Sequence, residues 1–306
     1  MVAVSEKIVL SALTEKRRKR ELCLAAERSQ RLTGRKPNKL GLGAIRSQEL
    51  TADVAKYFSS VEEAFRRGIE GRRQALERLG AVAPPYTPTF VILETAFGIG
   101  SDPPNILFDS VDESENNWAK CLSEYSGGDY LTTDDVGFFF LWDNETGADV
   151  VVNVASFLML NGTCSVWTNA AWLPNVFSGF EPTVELTISA NLTLFELWNQ
   201  PPTHPLQKPG QFQIVKPLKV DAPCCRWIPF IDGKQETAVI SGDFNVNYDM
   251  FRIPNHGRAM FEVGVGMSHF ASTSDSVSWA DFEHSPGLIL CPHLELEIFQ
   301  PQPVVR

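Results

Sequence analysis

Carboxylates on alternating stretches are the first residues in this chain whose type could do chemistry. Glu185, Glu262, Glu295 and Glu297 lie where one face of a sheet could line a cleft, and glycoside cleavage needs two carboxyl groups about 5–10 Å apart. Alternation alone does not bring two of them to that separation. A second set is Glu283-His284 with Cys291 and His293. Cys291 and His293 are two apart on an expected strand, hence on one face, and thiolate, imidazole and carboxylate are the ligands zinc takes. Pro292 between them argues for an edge or a bulge, and a buried thiol beside a hydrogen-bonded histidine accounts for the same residues without metal. No two of His204, His256, His269, His284 and His293 have the i, i+2 or i, i+4 spacing of a metal site.

The remaining candidates weaken in the same way. The stretches Asp109 to Glu115 and Asp143-Asn144-Glu145 with Asp149 hold oxygen ligands of the kind calcium prefers. Neither fits the twelve-residue loop pattern, and a solvated acidic surface explains both. Cys224-Cys225 would close only a strained ring as a disulfide. No Gly-x-Ser-x-Gly elbow occurs, and Gly41-Leu42-Gly43 and Gly264-Val265-Gly266 lack the third glycine of a dinucleotide loop. The sequence therefore indicates no catalytic residue, metal or cofactor. An enzyme acting on carbohydrate through strand carboxylates stands as the alternative reading.

Recognition is better served by Asn169 to Pro182. This stretch carries Trp172, Phe177 and Phe180 between Pro and Gly punctuation and joins two expected strands. Loops on a rigid scaffold gather binding residues, and aromatic faces stack on sugar rings or anchor a protein partner. Trp172, Phe177 and Phe180 are accordingly the expected ligand contacts. The competing expectation is that the loop closes an open end of the domain and buries these rings.

The elements that must position these residues fall into two parts. Residues 1–82 carry 18 basic and 10 acidic residues, a balance of +8, whereas residues 83–306 carry 9 and 27, a balance of −18. Such asymmetry marks a domain boundary. Within 1–82, Leu50, Val54, Phe58, Val61, Phe65, Ile69, Leu76 and Leu79 recur at helical spacing, which predicts an amphipathic helix over 47–79. A second helix is expected over about 4–32, with Gly41 and Gly43 as the joint. The two form a hairpin or an extended arm.

Beyond Pro84-Pro85 the period changes to two, most clearly from Val184 to Leu194. Further strands are expected at Phe90–Phe97, Val136–Trp142, Asp149–Leu158, Thr163–Asn169, Phe212–Val220, Thr237–Tyr248, Ala259–Met267 and Leu288–Phe299, with a turn at Asn161-Gly162. Glu113–Tyr125 fits a short helix or a strand equally well. No helical pattern separates the strands. The expected fold class is therefore mainly β: an antiparallel sandwich of jelly-roll kind over 83–306, preceded by a basic N-terminal helical arm over 1–82.

The 306 residues are 43% hydrophobic and 21% charged, an ordinary globular composition that needs no disulfides to hold a core. The longest apolar runs fall far short of the ~20 residues a membrane helix requires, so no membrane association is expected. Six dispersed cysteines, and a basic run that follows a short apolar stretch, favour reduced thiols and a cytoplasmic location. The basic run Lys16 to Arg20 could neutralise phosphates, but glutamates are interspersed and no aromatics interleave, so nucleic acid is the weaker expectation. A solvated face, or one docking on the acidic sandwich of the same or another subunit, is the stronger account of those charges. The chain reads as a non-catalytic module whose sandwich recognises a glycan or protein partner. The N-terminal helices join copies into a homo-oligomer.

Overall fold

In a computed structural model of the chain, the described residues are 88–111, 117–169, 183–198, 206–221, 233–272, 275–284 and 287–300. The arm, residues 1–82, and Trp172, Phe177 and Phe180 lie outside them.

Thirteen strands make two antiparallel sheets among the described residues. They are β1 (Pro88–Leu93), β2 (Gly98–Asp102), β3 (Leu107–Val111), β4 (Trp118–Ser126), β5 (Tyr130–Asp143), β6 (Val150–Thr168), β7 (Thr183–Glu196), β8 (Leu206–Asp221), β9 (Lys234–Ile253), β10 (Arg258–Ala271), β11 (Ser276–Asp281), β12 (Leu288–Leu290) and β13 (Leu294–Phe299). One sheet is built on β6. Its full length pairs with β9 on one side, and β13, β12 and β11 pair with successive thirds on the other. β4 then pairs with β11 and β12, β1 with β13, and β3 with β4. The other sheet runs β2-β5-β10-β7-β8.

Alternation decides which side chains fill the space between the sheets. Val136, Phe138 and Phe140 of β5, Val184 to Leu194 of β7 in steps of two, and Phe261, Val263 and Val265 of β10 meet Val152, Val154, Leu158 and Leu160 of β6, with Ile240 and Val246 of β9, in one core. Each of these side chains is buried. By transfer arithmetic each of the valine, leucine, isoleucine and phenylalanine side chains contributes about 1.5–3 kcal/mol.

Three expectations change. Asn161-Gly162 is not a turn, because β6 runs unbroken through it. A β-carbon at Gly162 would lie 2.5 Å from the Asp281 carbonyl oxygen and 2.7 Å from the Phe282 ring, so glycine serves close approach of the chain and not reversal. Leu288–Phe299 is not one strand: it breaks at 291–293, leaving β12 and β13. Glu113–Tyr125 is resolved as strand over its described part, in β4.

The break at 291–293 has a partner. β1 and β4 lie end to end beside the β11–β12–β13 line, and Asn117 sits at their joint. Its fully buried amide donates to the carbonyls of Glu94 (2.8 Å) and Cys291 (3.0 Å) and accepts from the Ala96 N–H (2.7 Å). One side chain thereby replaces the ladder bonds that two interrupted strands lose.

Candidate functional site

A polar network lies between the sheets near one end of the sandwich. It begins with inward positions that the alternation gives to polar residues: Ser123 and Tyr125 on β4, Tyr130 and Asp134 on β5, His269 on β10 and Ser278 on β11. The Ser123 hydroxyl donates to Asp134 Oδ2 (2.5 Å), and Tyr125 donates to Asp134 Oδ1 (2.7 Å). With its proton committed to Asp134, Ser123 Oγ accepts from His269 Nε2 (2.7 Å). That fixes the ring as the Nε2–H tautomer. His269 Nδ1 then accepts from Ser278 Oγ (2.7 Å), which accepts from Tyr130 OH (2.9 Å). The network is one directed chain running from Tyr130 to the Asp134 carboxylate.

Burial of His269 is complete, and it pushes the imidazole pKa from 6.5 down to about 3, so the ring is neutral. Burial likewise raises the Tyr130 hydroxyl above its ordinary value, opposed by its serine hydrogen bonds. Serine, histidine and aspartate are the members of a hydrolytic triad, but the order here is different. Serine stands between histidine and aspartate, so the carboxylate does not orient the ring. Ser123, Asp134 and His269 are all 0% exposed, and no substrate reaches the hydroxyl. The arrangement ties β4 and β11 of one sheet to β5 and β10 of the other.

This site was missed in the sequence, where His269 was one of five unpaired histidines. A usable signal was present. Ser123, Asp134, His269 and Ser278 all interrupt the apolar phase of their own strands, and inward polar residues on several strands require one another.

Four connections leave the sandwich at the end beside this network. Gly127 N–H donates to the Ser276 carbonyl (3.0 Å), Asn169 N–H to that of Asp275 (3.0 Å) and Ser272 N–H to that of Thr183 (3.0 Å). The Thr183 hydroxyl donates to Asp221 Oδ1 (2.9 Å), and Lys234 Nζ to the Asp221 carbonyl (2.9 Å). The β4–β5 turn, the β6–β7, β8–β9 and β10–β11 connections are thus rooted side by side. The segment holding Trp172, Phe177 and Phe180 springs from β6 and returns to β7 at this end. Those three side chains themselves lie outside the described residues.

The other candidates are dispersed or spoken for. Glu185 and Glu262 face outward from the second sheet, and Glu295 and Glu297 face outward from the first. Along β7, Glu262 stands opposite Thr193, eight residues from Glu185 and so about 26 Å away. Glu185 pairs with Lys219 (2.9 Å), and Glu297 accepts from Asn153 (2.9 Å). The four glutamates are thus divided between the two outer faces of the sandwich.

Cys291 and His293 occupy the break and not a strand, which corrects the one-face reading. Burial pushes the thiol up to about 12 and the imidazole down to about 4, conditions that oppose a thiolate ligand. Ser156 donates to the His293 carbonyl (2.7 Å) and lies 3.4 Å from Cys291 Sγ. His284 bonds to Asp281 (2.9 Å) instead of joining them. Among the described residues no group of three metal-ligating side chains is assembled. Asp143 holds Arg258 in a two-pronged pair (2.6 and 2.7 Å), and Asp149 holds Arg252 (2.6 Å). These oxygens serve cations of the protein. Cys121, Cys164 and Cys291 are free and buried, whereas Cys224 and Cys225 lie outside the described residues.

Fold and site together define a class: an antiparallel β-sandwich with a closed polar interior and a loop-bearing end. No family model matches the chain, and no curated protein does. Weak similarity to solved structures includes the following two. One is a family 11 carbohydrate-binding module from Clostridium thermocellum in complex with a β-1,3-1,4-mixed-linked tetrasaccharide (8% identity, 63% of this chain and 96% of that one, TM-score 0.17). The other is infectious bursal disease virus, Gx strain (10% identity, 59% of this chain and 40% of that one, TM-score 0.14). Likeness of that degree settles neither fold nor function.

Proposed function

We propose that the protein is a non-catalytic recognition module of jelly-roll kind that takes a glycan or protein partner at the loop-bearing end, through Trp172, Phe177 and Phe180. The jelly-roll reading is supported by connectivity. From β4 onward the chain visits the β6 sheet, the β10 sheet, and each again, then stays in the β10 sheet for β8. It crosses back for β9, over for β10 and back for β11 to β13.

The observation that carries the recognition reading is that four connections are rooted side by side at one end of the sandwich, beside an interior already closed by its own hydrogen bonds. A rigid base from which several connections leave side by side is what a binding surface requires, and the Ser123, His269 and Asp134 grouping is sealed from substrate. The N-terminal arm, residues 1–82, joins copies in this proposal through its first helix, residues 4–32, and the cytoplasm, where Cys121, Cys164 and Cys291 stay reduced, is its location.

The test is a Trp172→Ala variant compared with the unaltered chain on a glycan array and by thermal melting. Weaker binding by ~1–3 kcal/mol at unchanged melting temperature is the expected result. A large loss of melting temperature with no glycan bound by either protein would mark the ring as core and sink the reading.

A further inference from the structure

The outer face of the β10 sheet is built to be covered, and we propose that the chain's own segment 47–79 covers it. Cross-strand register defines this face. One row runs Gly98, Phe139, Glu262, Thr193; the next Gly100, Gly137, Gly264, Asn191, Phe212; the next Asp102, Asp135, Gly266, Ser189, Ile214. The glycines lower the floor, and polar side chains lie flat upon it. A β-carbon at Gly137 would come 2.7 Å from Glu262 Oε1, and one at Gly266 would come 2.9 Å from Ser189 Oγ and 3.0 Å from Asp135 Oδ1. Toward the β5–β6 turn the same face becomes apolar, with Phe139, Phe195 and Met260 flanked by Phe97, Leu141 and Leu197.

These groups point away from the core, yet they are shielded. Phe139, Phe195 and Met260 are 0% exposed and Glu262 is 1% exposed. No described element lies over this face.

Length, charge and tether select the occupant. A helix over 47–79 is about 50 Å long, and a strand of the fourteen residues of β10 is about 46 Å long. Its apolar stripe ends in Ile69, Leu76 and Leu79, while Arg66, Arg67, Arg72, Arg73 and Arg78 outnumber Glu70 and Glu77 in the same stretch. Leu76 and Leu79 match the apolar end of the face, and the arginines match Asp102, Asp135 and Glu262 beyond it. Residues 80–87 can span about 26 Å, against sheets ~10 Å apart. They lead into β1, which starts at the apolar end, on the side of the sandwich where β2 lies. Residues 4–32 are left for contact between copies, and the inference does not depend on the recognition reading.

Three methionines of the full-length chain report on the cover. Met250 is 69% exposed, Met260 lies under the proposed cover and Met267 lies inside the core; both buried sulfurs are 0% exposed. In dilute hydrogen peroxide, peptide mapping should find Met250 oxidised quickly, with Met260 and Met267 protected. In L76D/L79D, Met260 should oxidise at least about tenfold faster while Met267 stays protected. Unchanged protection of Met260 in that variant would overturn the proposal. So would reactivity of Met260 matching Met250 in the unaltered chain, or protection lost on dilution, which would give the cover to another copy. If Met267 opens as well, a protease site placed in 80–87 decides. After cleavage the arm must remain with the sandwich in a particle of the same mass as the uncleaved protein, and its release would refute the assignment.

Discussion

Replacing His269 with leucine should produce a stability difference that depends on pH. The ring makes two hydrogen bonds, to Ser123 and Ser278, and each serine keeps a second partner in Asp134 or Tyr130. Loss of two bonds at about 1 kcal/mol net each gives a deficit of about 2 kcal/mol at pH 7.5. The acid limb differs because the folded imidazole titrates near 3 against 6.5 for the free group. Below pH 6.5 the unfolded chain takes up a proton that the folded chain refuses, so stability is full above that pH and falls as pH falls. At pH 4.5 the loss is about 1.36 × 2, or ~2.7 kcal/mol. Leucine carries no such proton, so the variant's deficit should have closed by pH 4.5. Urea unfolding at pH 7.5, 6, 5 and 4.5 measures this directly. A gap of constant size over that range would refute the neutral, buried ring.

Asn117→Ala should cost about 3–5 kcal/mol in chemical denaturation, since the Ala96 N–H and the Glu94 and Cys291 carbonyls lose their partner together; a cost below ~1 kcal/mol would remove its role as a splice. Gly162→Ala should lower stability by about 1–3 kcal/mol through the clash with Asp281 and Phe282, read as a fall in denaturation midpoint at unchanged slope. Cys121, Cys164 and Cys291 are buried thiols whose pKa values burial raises, to about 11 for Cys164 and about 12 for Cys291. Their reaction with a disulfide reagent at pH 8 should follow unfolding, and rapid labelling of any of them in the folded chain would contradict that burial.

The strands were legible where one face is apolar and the other polar. Val184 to Leu194 alternate without fault, and β7 spans Thr183–Glu196 as a core strand. Legibility failed at Gly162, because a glycine that lets Phe282 approach and a glycine that turns the chain look alike in one dimension. It failed again at Cys291 to His293, where a strand break depends on Asn117, some 174 residues away from Cys291.

Local periodicity is a property of neighbouring residues, so the sequence alone determined that the chain after Pro85 forms antiparallel strands and which side of each strand is apolar. Contacts between distant strands are not local, and tertiary structure alone decided the rest. It placed Ser123, Asp134, His269 and Ser278 from four strands within hydrogen-bond reach and set Glu185 and Glu262 on one outer face with Glu295 and Glu297 on the other. It also rooted four connections at one end. Which strands become neighbours is fixed by packing two apolar faces together, and that packing turned a histidine without a sequence partner into the centre of a buried network.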